Sequence, residues 1–363
     1  MKITKFLALV CAMATLFVGC EGSGSGDENS PKGKAALTVD KDVAVMGEAI
    51  TFTVTNEGTD VTAESKIYNK ATYKEINNPF VVEADGKYEF YAVYGTSITK
   101  TIQVSVVPSI PTLPEDEEPA NTAFNHRILL VDHTGTKCGY CPQMMAALRE
   151  VEADNTYHDK FYEAMAHTFN NDDPSWSRSA EVVTTHYGAL ITGYPSLTFN
   201  FYHHVAGDRN AKSIKTQIDA LWKAEGADAG VMAATTGGNT MVAVKAQVKA
   251  KVAGKYRVTA WLLEDNIYAQ QAGTTDESYY THNNSIRHIA SSDPITGFDL
   301  GALEAGATAE KEMALEIQSA KWVSENLKVM VIVTAYNEST KKYDVANIAI
   351  CPINGSVKYD YKK

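Results

Sequence analysis

The sequence is poor in cysteine, with five in 363 residues, too few for the disulfide framework that holds small secreted scaffolds together. Basic side chains are also scarce: 33 Lys and Arg stand against 44 Asp and Glu, with no concentrated basic patch. The resulting charge of −11 repels phosphate backbones and argues against nucleic acid as a partner. Beyond the N-terminal leader, no run approaches the roughly 20 apolar residues that a membrane-spanning helix needs, and no repeat of solenoid period stands out. What is present is ordinary for a folded chain: 44% hydrophobic and 21% charged residues, with 24 Gly and 11 Pro. That balance excludes a collagen or a largely disordered chain. At roughly 150 residues per domain, the length predicts two or three folded units.

Lys2 and Lys5 precede a short apolar run, so residues 1–19 read as a signal peptide. Its end, Leu16-Phe17-Val18-Gly19-Cys20, resembles a bacterial lipobox. The resemblance implies lipidation of Cys20 and attachment to a membrane through acyl chains. Residues 20–34, rich in Gly and Ser, then form a flexible tether. The expected location is that of an outer membrane lipoprotein, periplasmic or surface-exposed.

Residues 35–108 alternate with the period of two that half-buried strands require, as in Ile50, Phe52 and Val54, in Tyr88, Phe90, Ala92 and Tyr94, and in Ile102, Val104 and Val106. This predicts an immunoglobulin-like β-sandwich. Residues 109–123 read as an acidic, Pro-rich linker whose run Glu115–Glu118 is solvated charge rather than a metal site. Over 124–226 strands mix with helices. Ile128 to Val131 marks a strand, Met144, Met145, Leu148 and Val151 a helix stripe, Ala180, Val183 and Tyr187 a second, and Ile214, Ile218, Leu221 and Trp222 a third. Residues 227–363 return to alternation. Val242, Val244, Ala246, Val248, Ala250 and Val252 share one face, with Lys245, Gln247, Lys249 and Lys251 facing water. The expected fold class is multidomain α+β: the N-terminal sandwich, a central α/β domain and a C-terminal β-sandwich.

One segment carries recognisable chemistry, Asp132-His-Thr-Gly-Thr-Lys137-Cys138-Gly139-Tyr140-Cys141-Pro142. A strand runs into a turn and Cys-x-x-Cys opens a helix, whose free amides and positive dipole end stabilise a thiolate. In that arrangement Cys138 is the nucleophile, and Cys141, one turn on, attacks a mixed disulfide to release the substrate. The plain alternative for the pair is a static disulfide. Two cysteines without a second pair do not make a zinc site, and His203 and His204, adjacent on a strand, point to opposite faces. No metal and no cofactor is therefore expected. Cys351 reads as a buried thiol, or as an odd cysteine that pairs between chains.

Leu130-Val131-Asp132 ahead of Cys138, and Cys-Gly-Tyr-Cys itself, resemble the active-site segment of thioredoxin-like proteins and periplasmic disulfide isomerases. That resemblance makes the central domain thioredoxin-like and implies that Asp132 is a buried proton acceptor for Cys141. Desolvation would raise its pKa into a useful range. Ile191-Thr-Gly-Tyr194-Pro195-Ser-Leu197 is similar to the family's proline loop. It implies a cis Pro195 beside the cysteines and a Tyr194 backbone that meets substrate. Lys137 stands where thioredoxins usually carry Trp, so Lys137 and Tyr140 shape the surface that meets partners, and the Lys137 charge favours a thiolate.

The stretch from Phe124 to about Pro352 resembles the outer membrane protein 28-related lipoprotein family. The likeness lies in His133–Pro142, in Gly193-Tyr-Pro195, and in Trp261-Leu-Leu-Glu-Asp-Asn266 followed by Gln270 or Gln271, His282-Asn283 and Arg287. It implies outer-membrane attachment, a thioredoxin-like core and a β-rich C-terminal region. Two functions follow as expectations. One is thiol-disulfide exchange on protein or peptide thiols and disulfides, by an oxidoreductase or isomerase. The other is surface binding or adhesion through an extracellular ligand, with the central domain only a scaffold.

Overall fold

The structure, a computed structural model, describes residues 35–206, 208–291, 293 and 296–363. The leader, Cys20 and the tether lie outside the described residues. The alternation over 35–108 closes one core: Ile50, Phe52, Val54, Phe90, Ala92, Val104 and Val106 are buried together. That core draws on a three-stranded sheet, containing Ala35–Val39 and Phe52–Asn56, and on a six-stranded sheet, containing Gly86–Tyr94 and Ile102–Val107. Asp85 joins this unit to the rest, its Oδ2 accepting from the amides of Thr240 (2.8 Å) and Met241 (3.0 Å).

The remainder is built on one nine-stranded sheet. Its strands are β1 (Ile128–Thr134), β2 (Phe161–His167), β3 (Ser196–Phe199), β4 (His203–Ala206), β5 (Gly254–Glu264), β6 (Ser285–Ile289), β7 (Phe298–Leu303), β8 (Leu327–Asn337) and β9 (Lys342–Pro352). The order is β4-β3-β1-β2-β6-β5-β8-β9, with β7 also on β5. Three α-helices accompany it: α1 (Cys141–Glu152), α2 (Arg178–Tyr187) and α3 (Ala211–Leu221). Each begins where its sequence allows. Pro142 sits in the first turn of α1, Ser177 Oγ accepts from Ala180 N to cap α2, and Asn210 Oδ1 accepts from Ser213 N to cap α3. Met144, Leu148 and Val151 of α1 and Ile214 and Ile218 of α3 pack on Ile128 and Leu130. On the opposite face Leu129 and Val131 meet Ala180 and Val183 of α2.

This architecture corrects the expected fold class. Among the described residues strand far outweighs helix, with three α-helices, and there is no central thioredoxin-like α/β domain. Strands β1 to β4 form one wing of a mixed sheet whose other wing is C-terminal. The join is β6, which pairs with β2 at Met165↔Ser285 and with β5 at Trp261↔Ile289. An open β2 edge leaves amides and carbonyls unpaired, and β6 meets it at its Met165, whose amide donates to Asn284 O at 2.8 Å. One hydrophobic core accordingly mixes Leu129, Val131 and Val183 with Trp261, Ile286 and Ile332. The C-terminal sandwich is not free-standing either. A four-stranded sheet that includes Ala229–Gly237, Met241–Ala250 and Thr308–Glu316 buries Val242, Val244 and Val248 against β5 and β8 of the same nine-stranded sheet.

Lys249 also departs from expectation. It is 2% exposed rather than solvated, because the 109–123 segment folds back over the outer face of its strand. Its ammonium pairs with Asp116 and donates to the Tyr361 hydroxyl (2.7 Å) and to the carbonyls of Pro119 (3.2 Å) and Asn121 (3.3 Å). Part of the acidic run is thus a structural clamp. Asp116→Ala strands a buried cation and should cost about 3 kcal/mol in urea denaturation, more than Lys249→Met, which removes charge and keeps packing. Equal losses for the two variants would contradict the clamp.

Candidate functional site

Strand β1 ends at Thr134, and the chain turns through 135–140 before α1 begins at Cys141. A Cβ on Gly135 would lie 2.5 Å from that of Phe169, so only glycine lets the turn cross the 168–170 segment. The turn is fixed by two donated amides, Thr136 N to Asp173 Oδ2 (2.7 Å) and Lys137 N to Asn170 Oδ1 (3.2 Å). Cys138 and Cys141 are joined as a disulfide. Lys137 is exposed and its ammonium pairs with Asp172, so its charge is directed at the 170s loop. Tyr140 is exposed, with the Arg209 guanidinium 4.8 Å from its ring centre. The Tyr194–Pro195 peptide is cis. Because His133 pairs with Ser196, the β1–β3 register places Pro195 level with Thr134, at the cysteine end of the sheet. Tyr194 Oη hydrogen-bonds Thr168 Oγ1 at 3.0 Å, and its ring meets Phe169 edge-on. The fold therefore gathers Cys138, Cys141, Lys137, Tyr140, Tyr194 and Pro195 at one end of one sheet. Cys20 lies outside the described residues.

Asp132 follows from strand alternation. Ile128 and Leu130 face α1, so Asp132 faces it too. Since α1 runs back along β1, its first turn, which carries Cys141, lies over the end of the strand where Asp132 sits. Asp132 is fully buried, and neither carboxylate oxygen has a hydrogen-bond partner. Burial first, and then the neighbouring Glu163, push its pKa well above the usual carboxylate range. Glu163 stands on the same face of β2, in register with Leu130. Burial, reinforced by Glu152, raises its pKa to about 7, while Asn284 Nδ2 donates to it at 3.3 Å. Behind the sheet, His133 is held between Thr184 Oγ1 (3.0 Å) and Thr198 Oγ1 (3.1 Å), and burial depresses its pKa to about 3. It is a satisfied core histidine.

The sequence offered no sign of what covers the cysteines. Cys138 is 2% and Cys141 1% exposed, because a loop between β5 and β6 lies over them. Gln271 is fully buried, and its side-chain amide donates to the carbonyls of Gly135 (3.2 Å) and Cys138 (3.0 Å). Ala272 N donates to Thr136 O at 2.7 Å. Beneath this loop His167 Nδ1 donates to Asp173 Oδ2 at 2.9 Å. Burial opposes ionising Asp173, yet the bond from His167 and those from the amides of Thr136 and Ser175 hold its carboxyl well below the ordinary range. His282 meets His167 edge-on and bonds Ala269 O at 3.2 Å; burial, then His167, lower its pKa to about 4. Arg287 Nε donates to Glu264 Oε2 at 2.6 Å in a buried ion pair. The polar run at 282–288 is thus internal bracing. Cys351 is a free, buried thiol whose pKa burial raises to about 11. No cluster of three or more His, Cys, Asp or Glu able to hold a metal occurs among the described residues.

A family profile described as "Outer membrane protein Omp28" matches residues 184–354. Among solved structures, HBP35 of Porphyromonas gingivalis is similar over 67% of this chain and 80% of its own, at 17% identity and a TM-score of 0.55. At that identity the likeness concerns the fold. A protein from Agrobacterium tumefaciens aligns over 66% of this chain and 99% of its own, at 14% identity and a TM-score of 0.40, too loosely to carry an argument. No curated protein matches.

The buried carboxylates make a pH-dependent contribution. The pKa of Glu163 is raised in the folded state, so the fold keeps a proton that the unfolded chain loses above its ordinary value of 4.5. That stabilisation is whole below pH 4.5 and is lost as the pH rises through about 7. The stability of wild type minus that of Glu163→Gln should therefore fall across this window, at most about 1.4 kcal/mol per pH unit, and then level off. A difference that stays constant from pH 4 to 8 would refute the assignment.

Proposed function

We propose that this chain is an envelope protein whose Cys138–Cys141 pair exchanges disulfides with protein or peptide thiols. The observation that carries the reading is the disulfide at a strand-to-helix turn, with a fully buried carboxyl, Asp132, that has no hydrogen-bond partner near the end of the strand leading into it. A substrate thiolate attacks Cys138 Sγ, the Cys138–Cys141 bond breaks, and Cys141 leaves as a thiolate that takes up the proton held at Asp132. The second substrate thiolate attacks the mixed disulfide and releases Cys138. Two electrons pass from substrate to the pair and the substrate departs as a disulfide; the two protons its thiols gave to solvent on ionising return to Cys138 and to Asp132, which leaves the pair a dithiol. Pro195 and the Tyr194 backbone border the approach, with Lys137 and Tyr140 on its exposed side. The outer-membrane name of the matching family, together with the lipobox-like Cys20, supports an envelope location with an acyl anchor. No helix among the described residues is long and apolar enough to cross a membrane.

A second reading has its own support. Cysteines that are 2% and 1% exposed suit a static disulfide in a binding or adhesion protein whose ligand meets another surface. Reduction of insulin by the wild-type chain, supplied with a dithiol reductant, should be lost in Cys138→Ser. Activity that survives this substitution sinks the exchange reading, and a disulfide that resists mild reductant in the native protein favours the static one.

A further inference from the structure

We infer that the loop from Ala269 to Tyr280 is an autoinhibitory strap that occupies the place of an extended polypeptide substrate over Cys138 and must lift before the disulfide can react. The inference rests on the exchange reading above. A substrate sulfur has to reach Cys138 Sγ, and at 2% exposure it cannot. This loop lies on the backbone of the cysteine turn: Ala272 N donates to Thr136 O, and Gln271 Nε2 donates to Cys138 O. Gly273 then lies against the centre of the cysteine motif: a Cβ there would come within 2.0 Å of Gly139 O. The strap thus makes main-chain contacts of the kind an extended, cysteine-bearing peptide would make in its place.

The loop is built to move as a unit. Its base is closed by the short ribbon of Ile267–Tyr268 with Thr281–His282 and by Ala269 N donating to Tyr280 O at 2.8 Å. Asn266 and Asn284, just outside the ribbon, both take left-handed backbone angles (φ 58° and 56°). Gln270-Gln271-Ala272-Gly273-Thr274-Thr275, the part over the cysteine turn, contributes no large apolar side chain, so lifting that stretch exposes little hydrophobic surface, while the buried Tyr280 stays at the base. Its far side is fastened from outside by Arg149 of α1. The guanidinium donates to Ser278 O (2.7 Å) and Ser278 Oγ (3.1 Å) and stacks over Tyr279, 4.0 Å from the ring centre. Arg149 is exposed and touches neither cysteine, so it is a positioning residue for the strap.

The test is stoichiometric and needs no turnover, which separates it from the test of exchange activity. The full-length oxidised protein is mixed with reduced glutathione, quenched with a maleimide at intervals, and the labelled cysteines are read by mass spectrometry. Gly273→Ala, which forces the strap off Gly139, and Arg149→Ala, which frees its far side, should each speed the appearance of glutathione on Cys138 with the label on the released Cys141 by about fivefold or more, the equivalent of one lost hydrogen bond. Cys351 should stay unlabelled throughout, because the core remains closed. Arg149→Ala carries the test alone if Gly273→Ala does not fold. Wild-type rates in folded variants would overturn the strap, and so would labelling of Cys351 in step with Cys141, which means global opening. Insulin turnover absent from all variants despite faster labelling would count against the exchange reading and leave the strap standing.

Discussion

The pairing of β6 between β2 and β5 is the constraint on which the rest depends. It converts two runs of strands, distant in sequence, into one sheet, and the sheet then has apolar residues to bury on both faces. One face takes α1 and α3 at one wing and the four-stranded sheet at the other; the opposite face takes α2. The cysteine turn inherits its surroundings from this join. β5 and β6 enter the sheet beside β2, and the loop between them lies over the turn that follows β1. The cover on the cysteines is thus a consequence of strand order.

The site balances two kinds of burial. Asp173 is buried but satisfied, since three donors, from His167, Thr136 and Ser175, meet its oxygens; it stays ionised and braces the turn. Asp132 is buried without a donor and keeps its proton. Identical side chains thus have their pKa values pushed in opposite directions, because one has partners and the other does not. A satisfied carboxylate serves structure here, and an unsatisfied one is a proton reservoir, beneath the only cysteine pair among the described residues.

Local patterns in the sequence carried a good share of this. The stripes Met144–Leu148–Val151, Ala180–Val183–Tyr187 and Ile214–Ile218 are the buried faces of the three helices, since periodicity records which side of an element meets the core. The cysteine turn and the cis proline were legible as motifs. Strand partnership was not. Ser285–Ile289 carries an ordinary short-strand composition, and nothing local reveals that it pairs with Met165 on one side and Trp261 on the other. The motifs alone therefore imply a thioredoxin-like α/β domain where the sheet runs on. Val252 was assigned to a buried face but lies beyond its strand and is half exposed, and Lys249 was assigned to water because its partner, Asp116, is far away in sequence. Gln271 is legible only as part of a family motif, and Gly273 not at all, for the same reason. Their partners, Cys138 and Gly139, are joined to them only through the fold.

The central claim is that Cys138 is a reacting sulfur rather than half of a fixed brace. Trapping tests it most directly. In the Cys141→Ser variant, Cys138 has no resolving partner, so incubation with a short peptide disulfide should leave one peptide covalently attached at Cys138, seen as a single mass increment that a reductant removes. A native Cys138 that stays unmodified under these conditions, while the same chain in denaturant takes up the peptide, would contradict the account.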